Sequence, residues 1–292
     1  MSLYWINSRN LVFMEKITVL IPTRNRIDGL KEILNCLEEY TCDKKNLEVI
    51  IGLDNDDFLT EKFIKEYSKN FNFIIKPVSS VRGKGYLDQA NRLKNMVQNS
   101  NGNYFVHLSD DMKIITNNWD ILLKDKVKTL PLDEIYLLYP KHNQERNQKW
   151  PLCQITSRKW FNTINKYVNS FETDTELMII SSLLNRNYFF KEIEIFHKTN
   201  IKDQVHLEGR ANTLKGKIIK GSILSIAGLF LALQDYYILR GKITNNHITL
   251  NKSLINLKII FKFPYFMFKI KKFTGINYFK LFLIDIYQNI FR

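Results

Sequence analysis

Ile17-Thr-Val-Leu-Ile-Pro-Thr-Arg-Asn-Arg26 opens a run that closes at Ser109-Asp-Asp-Met112, and the alternation inside that run decides the fold. The segment Ile17–Ile21 is β-rich and apolar and stops at Pro22, which predicts a strand. A helix follows from Asp28 to about Tyr40, with Leu30, Ile33, Leu34 and Leu37 on one face. Leu47–Leu53 reads as a second strand and ends at Asp54. A helix over Thr60–Ser68, a third strand over Phe71–Lys76 and a helix over Tyr86–Val97 come next. The Asn101-Gly102 turn then leads into a fourth strand, Tyr104–Leu108. Strands alternating with helices at this spacing predict an α/β, mostly parallel sheet flanked by helices.

Acidic residues stand where such a sheet keeps its ligand crevice, beyond the carboxyl ends of the strands. Asp54 ends the second strand and Ser109-Asp110-Asp111 the fourth. Burying an unpaired charge is costly, so packing alone does not account for them. A bound cation with a phosphate-bearing substrate does. Paired acids after a buried strand can chelate Mg²⁺ or Mn²⁺ and leave positions free for phosphate, a Lewis-acid role. The alternative is a turn with a helix cap, where Asp is common. Asp56 and Asp57 read as turn or cap residues. No Gly-x-Gly-x-x-Gly follows the first strand, and Arg82-Gly83-Lys84-Gly85 is too short for a Walker loop. Those glycines mark either a basic surface turn or a loop against a diphosphate.

Beyond Met112 the pattern loosens. Trp119–Lys128 and Ser157–Tyr167 read as helices, Glu134–Tyr139 and Ile193–His197 as strands, and Lys141–Gln148 as a polar loop. Thr173–Leu184 is a clearer helix with Asp174 and Glu176 in its first turn, where acids suit the helix dipole. Trp150, Trp160 and Arg158 are candidates to hold an acceptor by stacking and hydrogen bonds. Cys36, Cys42 and Cys153 form no CxxC pair and read as free thiols of a reducing compartment. Residues 1–14 read as an N-terminal extension without the features of a signal peptide, and Met14 could be the natural start.

The motif Ile17-Thr-Val-Leu-Ile-Pro-Thr-Arg-Asn-Arg26, with Asp54, Arg82 and Ser109-Asp110-Asp111 in that order, resembles the nucleotide-sugar half of a GT-A-fold glycosyltransferase. It is most similar to the large inverting family, family 2, that includes many bacterial polysaccharide enzymes. The resemblance implies a catalytic domain over 15–212, with a nucleotide-sugar half over 17–112 and an acceptor half over 113–212. It implies that Pro22 and Thr23 line the nucleobase pocket and that Asp54 contacts the base. Arg24 stands where an aromatic residue is common, so a cation–π contact replaces stacking. Arg82 would help hold the nucleotide, Asp110 would face the ribose and donor sugar, and Asp111 would bind Mn²⁺ or Mg²⁺. Ser109 replaces the first acid of the Asp-x-Asp signature. A later helix carries the catalytic acid of the family; Asp174 matches it, with Glu176 in reserve, as the base that deprotonates the acceptor hydroxyl. His197 lies where some GT-A enzymes supply a metal-binding histidine.

The formal charge of +14 is uneven. Thr213–Arg292 holds thirteen Lys and Arg against Asp235 and Asp285, so the rest of the chain carries only +3. Such blocks bind polyanions. Gly221–Leu239 reads as a buried or interfacial helix, since Asp235 makes a membrane span expensive. Leu257–Arg292 contains eleven Phe and Tyr among aliphatic residues, with Lys258, Lys262, Lys269, Lys272 and Lys280 on one side of a helical wheel. Pro264 and Gly275 predict a division into two or three helices. The expectation for 213–292 is an amphipathic helical tail, packed on the core or lying in an anionic membrane interface. The reading is therefore a metal-assisted glycosyltransferase, peripheral on the cytoplasmic face of a membrane, taking a nucleoside-diphosphate sugar and a glycan or lipid-linked acceptor. The alternatives are a nucleotidyltransferase, which usually opens with a Gly-rich basic loop, and a non-catalytic basic protein. Nucleic acid is not the expected partner, because the basic and aromatic residues are mixed into aliphatic helices.

Overall fold

In the computed structural model, residues 15–82, 88–144, 150–170, 172–198, 222–244, 252–281 and 283–284 are described. The elements in chain order are β1 (Ile17–Pro22), α1 (Ile27–Tyr40), β2 (Leu47–Asp54), α2 (Phe58–Tyr67), β3 (Ile74–Ser80), α3 (Gln89–Gln98), β4 (Tyr104–His107), β5 (Met112–Ile114), α4 (Trp119–Val127), β6 (Leu137–His142), β7 (Gln154–Ser157), α5 (Arg158–Ile164), α6 (Thr173–Leu184), β8 (Asn187–His197), α7 (Ile226–Ile243) and α8 (Lys252–Thr274). The eight strands form one sheet in the order β3-β2-β1-β4-β7-β6-β8-β5. β3, β2, β1 and β4 are mutually parallel, and β7 and β5 run antiparallel to their neighbours.

Alternation along the strands divides the core in two. Val19, Ile21, Val49 and Ile51 face α1 and α4, while Leu20 and Ile50 face α3, α5, α6, α7 and α8. The helix face of Leu30, Ile33, Leu34 and Leu37 is buried as its spacing predicts. α6 has the predicted bounds. β3 lies later than predicted, because its register follows β2 from Glu48↔Ile74 to Asp54↔Ser80. As an edge strand it needs no continuous apolar run. β5 and β7 were not legible as strands; they are three and four residues long and are held by distant partners. Residues 1–14 and the Gly83–Gly85 loop lie outside the described residues, as do residues 145–148 of the polar loop predicted over Lys141–Gln148, whose start belongs to β6.

Pro264 does not divide the tail: α8 runs through it. An internal proline removes a helical hydrogen bond, at about 3 kcal/mol. Burial of Ile255, Ile259, Phe266 and Ile270 on one face supplies the compensation. Gly275 does end the helix. Its φ of 77° is left-handed, and its N–H donates back to the Lys271 carbonyl at 2.9 Å. Among the described residues no helix is long and apolar enough to cross a membrane.

Asp235 on α7 is buried, paired with Lys166 at 2.9 Å and hydrogen-bonded by Asn169 at 2.7 Å. Burial nevertheless outweighs Lys166 and pushes the carboxyl up to about 6. The protonated form is therefore favoured by folding. Its contribution to stability is complete below the ordinary carboxylate range and is lost as pH rises through about 6. Between about pH 7.5 and about pH 5, wild-type protein is expected to gain about 1 kcal/mol from this group. Melting temperatures across that range should be flatter for Asp235→Asn than for wild type; parallel curves would show that Asp235 does not titrate there.

Candidate active site

The loop after β1 organises the site. Thr23 continues the strand by donating its N–H to the Gly52 carbonyl at 3.0 Å. Asn25 then takes a left-handed φ of 52°, a conformation asparagine tolerates better than most residues. Its N–H is held by Asp57 Oδ2 at 2.8 Å, and Asp57 also caps α2 through the Thr60 N–H. Flanking arginines consequently reach in two directions. Arg24 Nη1 donates to Asp54 Oδ2 at 2.9 Å and to Asp56 Oδ1 at 2.5 Å. Arg26 pairs with Asp110 Oδ1, whose other oxygen accepts from Thr23 Oγ1 at 2.9 Å. One short loop thus joins the acidic ends of β2 and β4.

Asp54 is buried and held by Arg24 and Arg92. Asp56 is exposed; hydrogen bonds from Arg24 and then Arg82 hold its carboxyl down at about 2. Arg82 donates to Asp56 at 3.2 Å, and its N–H reaches Asn55 Oδ1. Asp110 has its carboxyl pushed up to about 6 by burial, with Arg26 and Thr23 pulling the other way. α1 approaches so closely that a Cβ on Gly29 would lie 2.6 Å from the Asp110 carbonyl oxygen, so only glycine fits there.

Asp111 Oδ1 is buried and has no hydrogen-bond partner. Its Oδ2 lies 3.5 Å from His197 Nε2. The antiparallel register Met112↔His197 produces this meeting, and the Lys198 N–H closes it on the Asp111 carbonyl at 2.9 Å. The Gln144 side-chain amide lies 2.5 Å from His197 Nδ1 and fixes the ring; with its oxygen turned to accept the Nδ1–H, Nε2 keeps a free lone pair toward Asp111. One carboxylate and one imidazole form a donor set that suits Mn²⁺. Among the described residues no group of three or more His, Cys, Asp or Glu could hold a metal, so remaining positions would fall to substrate and water. A cleft of about 390 Å³ opens beside them, lined by Asn25, Arg26, Asp28, Asp110, Asp111 and Lys198 among others.

A second cluster lies at the start of α6. Asp174 Oδ2 accepts from Trp150 Nε1 at 2.6 Å and Oδ1 from the Thr175 N–H at 2.7 Å. The register His107↔Gln154 sets the start of β7 at the carboxyl end of β4, and Trp150 stands just upstream of that strand. Trp150 thereby holds Asp174 at the sheet edge that carries Asp110 and Asp111. Glu176 differs. It is fully buried and its oxygens are filled by Asn169 and Ser170, so it fixes the turn before α6. Trp160 is fully buried and Arg158 is spent on the carbonyls of Ser100 and Gly102, so neither is placed to hold an acceptor. Arg26 and Arg92 had no assigned role in the sequence reading. Arg26 stood inside the motif, whereas Arg92 is one charge on an amphipathic helix and has no local signal.

The model of the family described as "Glycosyl transferase family 2" matches residues 18–193. Among solved structures the chain is similar to the mannosyltransferase PcManGT from Pyrobaculum calidifontis in complex with GDP-Man and Mn²⁺, at 12% identity and a TM-score of 0.53, over 95% of this chain and 88% of that one. It is also similar to S. aureus TarS 1-349 in complex with UDP-GlcNAc, at 14% identity and a TM-score of 0.52, over 82% of this chain and 69% of that one. No curated protein sequence matches. At these identities the likeness is one of fold.

Proposed function

The chain belongs to glycosyl transferase family 2 and is a GT-A-fold glycosyltransferase; from that premise we propose that it transfers a sugar from a nucleoside-diphosphate sugar to a glycan or lipid-linked hydroxyl with inversion. The observation that carries the reading is the partnerless buried Oδ1 of Asp111 beside His197. A native fold rarely leaves a buried acceptor unsatisfied, since it costs about 1–3 kcal/mol. Asp111 and His197 would hold Mn²⁺ or Mg²⁺; the complex of PcManGT contains Mn²⁺. A divalent ion at these two residues would supply Lewis-acid stabilisation to the diphosphate leaving group.

The chain's own residues do the rest. Pro22 and Thr23 line the base pocket. Arg24 presents its guanidinium face, Asp54 reaches the nucleotide through the arginines it anchors, and Arg82 holds the phosphates. Asp110, kept in place by Arg26 and Thr23, faces the ribose and donor sugar. Asp174 takes the proton from the acceptor hydroxyl as its oxygen attacks the anomeric carbon. Oδ1 takes the Thr175 N–H and hydroxyl, while Oδ2 carries only the Trp150 donor and keeps lone-pair capacity for the acceptor. Glu176 supports this from behind by fixing the turn that precedes α6.

We place the enzyme on the cytoplasmic membrane face, docked through α8, whose outward side exposes Phe261, Tyr265 and Phe268. The free cysteines accord with a reducing compartment. A thermal-shift panel of UDP- and GDP-sugars tests the donor. At least one should raise the melting temperature by several degrees with Mn²⁺, and markedly less with a chelator. Failure of every nucleotide sugar to bind would overturn the reading.

A further inference from the structure

α8 presents three rows, where the sequence wheel suggests two. Successive helical residues turn by about 100°. Ile255, Ile259, Phe266 and Ile270 form the buried row. Lys258, Lys262, Lys269 and Lys272 form the next. Leu254, Leu257, Phe261, Tyr265 and Phe268 form a third row, all exposed, Phe261 by 82%. The lysines therefore stand between the protein and an outward apolar ridge.

Beneath the lysine row lies a cleft of about 690 Å³ between the C-terminal end of α6, α7 and α8. Arg240, Lys262 and Lys269 converge on it, and Tyr237, Phe261 and Tyr265 wall it. Arg240 is oriented by the Tyr236 hydroxyl at 2.8 Å and lies 5.9 Å from that ring. Among the described residues, no carboxylate forms an ion pair with any of the three cations. Like charges gathered without a counterion repel, so the complementary occupant is an anion.

We propose that this cleft seats the phosphate of an anionic phospholipid headgroup while the adjoining ridge enters the acyl boundary of the same bilayer. The proposal rests on the membrane docking put forward above and names its chemistry. A phospholipid offers a phosphate and hydrocarbon within a few ångströms of each other, which matches a cationic cleft bordered by Leu254, Leu257, Phe261 and Phe268. A nucleic acid would need polar or stackable surface where that ridge is aliphatic. The cleft adjoins Leu184 and the catalytic candidate is Asp174. Those ten residues of helix set them about 15 Å apart along α6, a span that suits a membrane-borne acceptor.

The test compares charge-matched variants of the full chain in sedimentation with phosphatidylcholine vesicles, with and without phosphatidylglycerol. Wild type should bind only the anionic vesicles. Lys258→Gln/Lys272→Gln removes two charges from the same row outside the cleft, and each charge should cost about fivefold. Lys262→Gln/Lys269→Gln should lose about tenfold more than that control, a difference of about 1.4 kcal/mol. All four substitutions are of side chains with no buried partner, and melting temperatures should match wild type. Equal losses in the two variants would overturn the headgroup site and leave diffuse membrane docking standing. No binding of wild type to anionic vesicles would overturn the docking itself and the site with it. A duplex oligonucleotide bound as tightly as the vesicles, and released by the same cleft variant, would replace the lipid with nucleic acid.

Discussion

Asp111→Ala is expected to abolish metal-dependent binding of nucleotide sugars without weakening the fold. Removing a typical buried carboxylate strands its partners and destabilises by several kcal/mol. Asp111 has few to strand. Its Oδ1 has no hydrogen bond, and its Oδ2 has only the imidazole of His197 at 3.5 Å. Relieving an unsatisfied acceptor offsets the loss of packing. The variant should therefore melt at or above the wild-type temperature when no ligand is present. Binding should behave in the opposite way. Of the two candidate metal ligands, Asp111 carries the charge, and without it the diphosphate loses its counterion. Calorimetric titration with UDP or GDP and Mn²⁺ should show affinity down by at least about 10²-fold, since each tenfold corresponds to about 1.4 kcal/mol. Equal binding by wild type and variant would remove Asp111 from the metal site. His197→Ala should give a smaller loss in the same titration.

Asp174→Asn should leave donor affinity unchanged and lower turnover by about 10²–10⁴-fold, the range for loss of a general base. Asparagine keeps one acceptor oxygen, so it retains the bond from the Thr175 N–H or the one from Trp150 and turns its NH2 toward the other donor, a loss of about 1 kcal/mol that a melting curve reads separately from turnover. It cannot take a proton. The diagnostic result is a split: the donor titration matches wild type while kcat collapses. If donor binding fell as well, Asp174 would be a structural acid. Retained turnover would move the base elsewhere.

Much of this architecture was legible because its signals are local. The apolar runs at Ile17–Ile21 and Leu47–Leu53, the amphipathic α1 and the acids at two strand ends lie within single elements, and periodicity reports them directly. α6 was readable to the residue for the same reason, with acids in its first turn and an aliphatic body. Arg92, by contrast, reaches Asp54 from α3 across the face of β2, beside Gly52, and nothing in its own helix distinguishes it. Trp160 and Arg158 looked like acceptor ligands by residue type, but burial and backbone hydrogen bonds claimed both.

From the sequence alone followed the β-α-β order, the placing of Asp54, Asp110 and Asp111 at the open edge of a parallel sheet, and the basic, aromatic character of the tail. The tertiary structure alone decided which groups meet there. The antiparallel pairing of β5 with β8 delivers His197 to Asp111, and that of β7 with β4 delivers Trp150, and so Asp174, to the same edge. It also decided that α8 runs unbroken past Pro264 and sets its lysines between a buried row and an exposed one. The reason is that alternation and amphipathicity are written into neighbouring residues, while pairings between strands dozens of residues apart are chosen by the total burial of the folded chain.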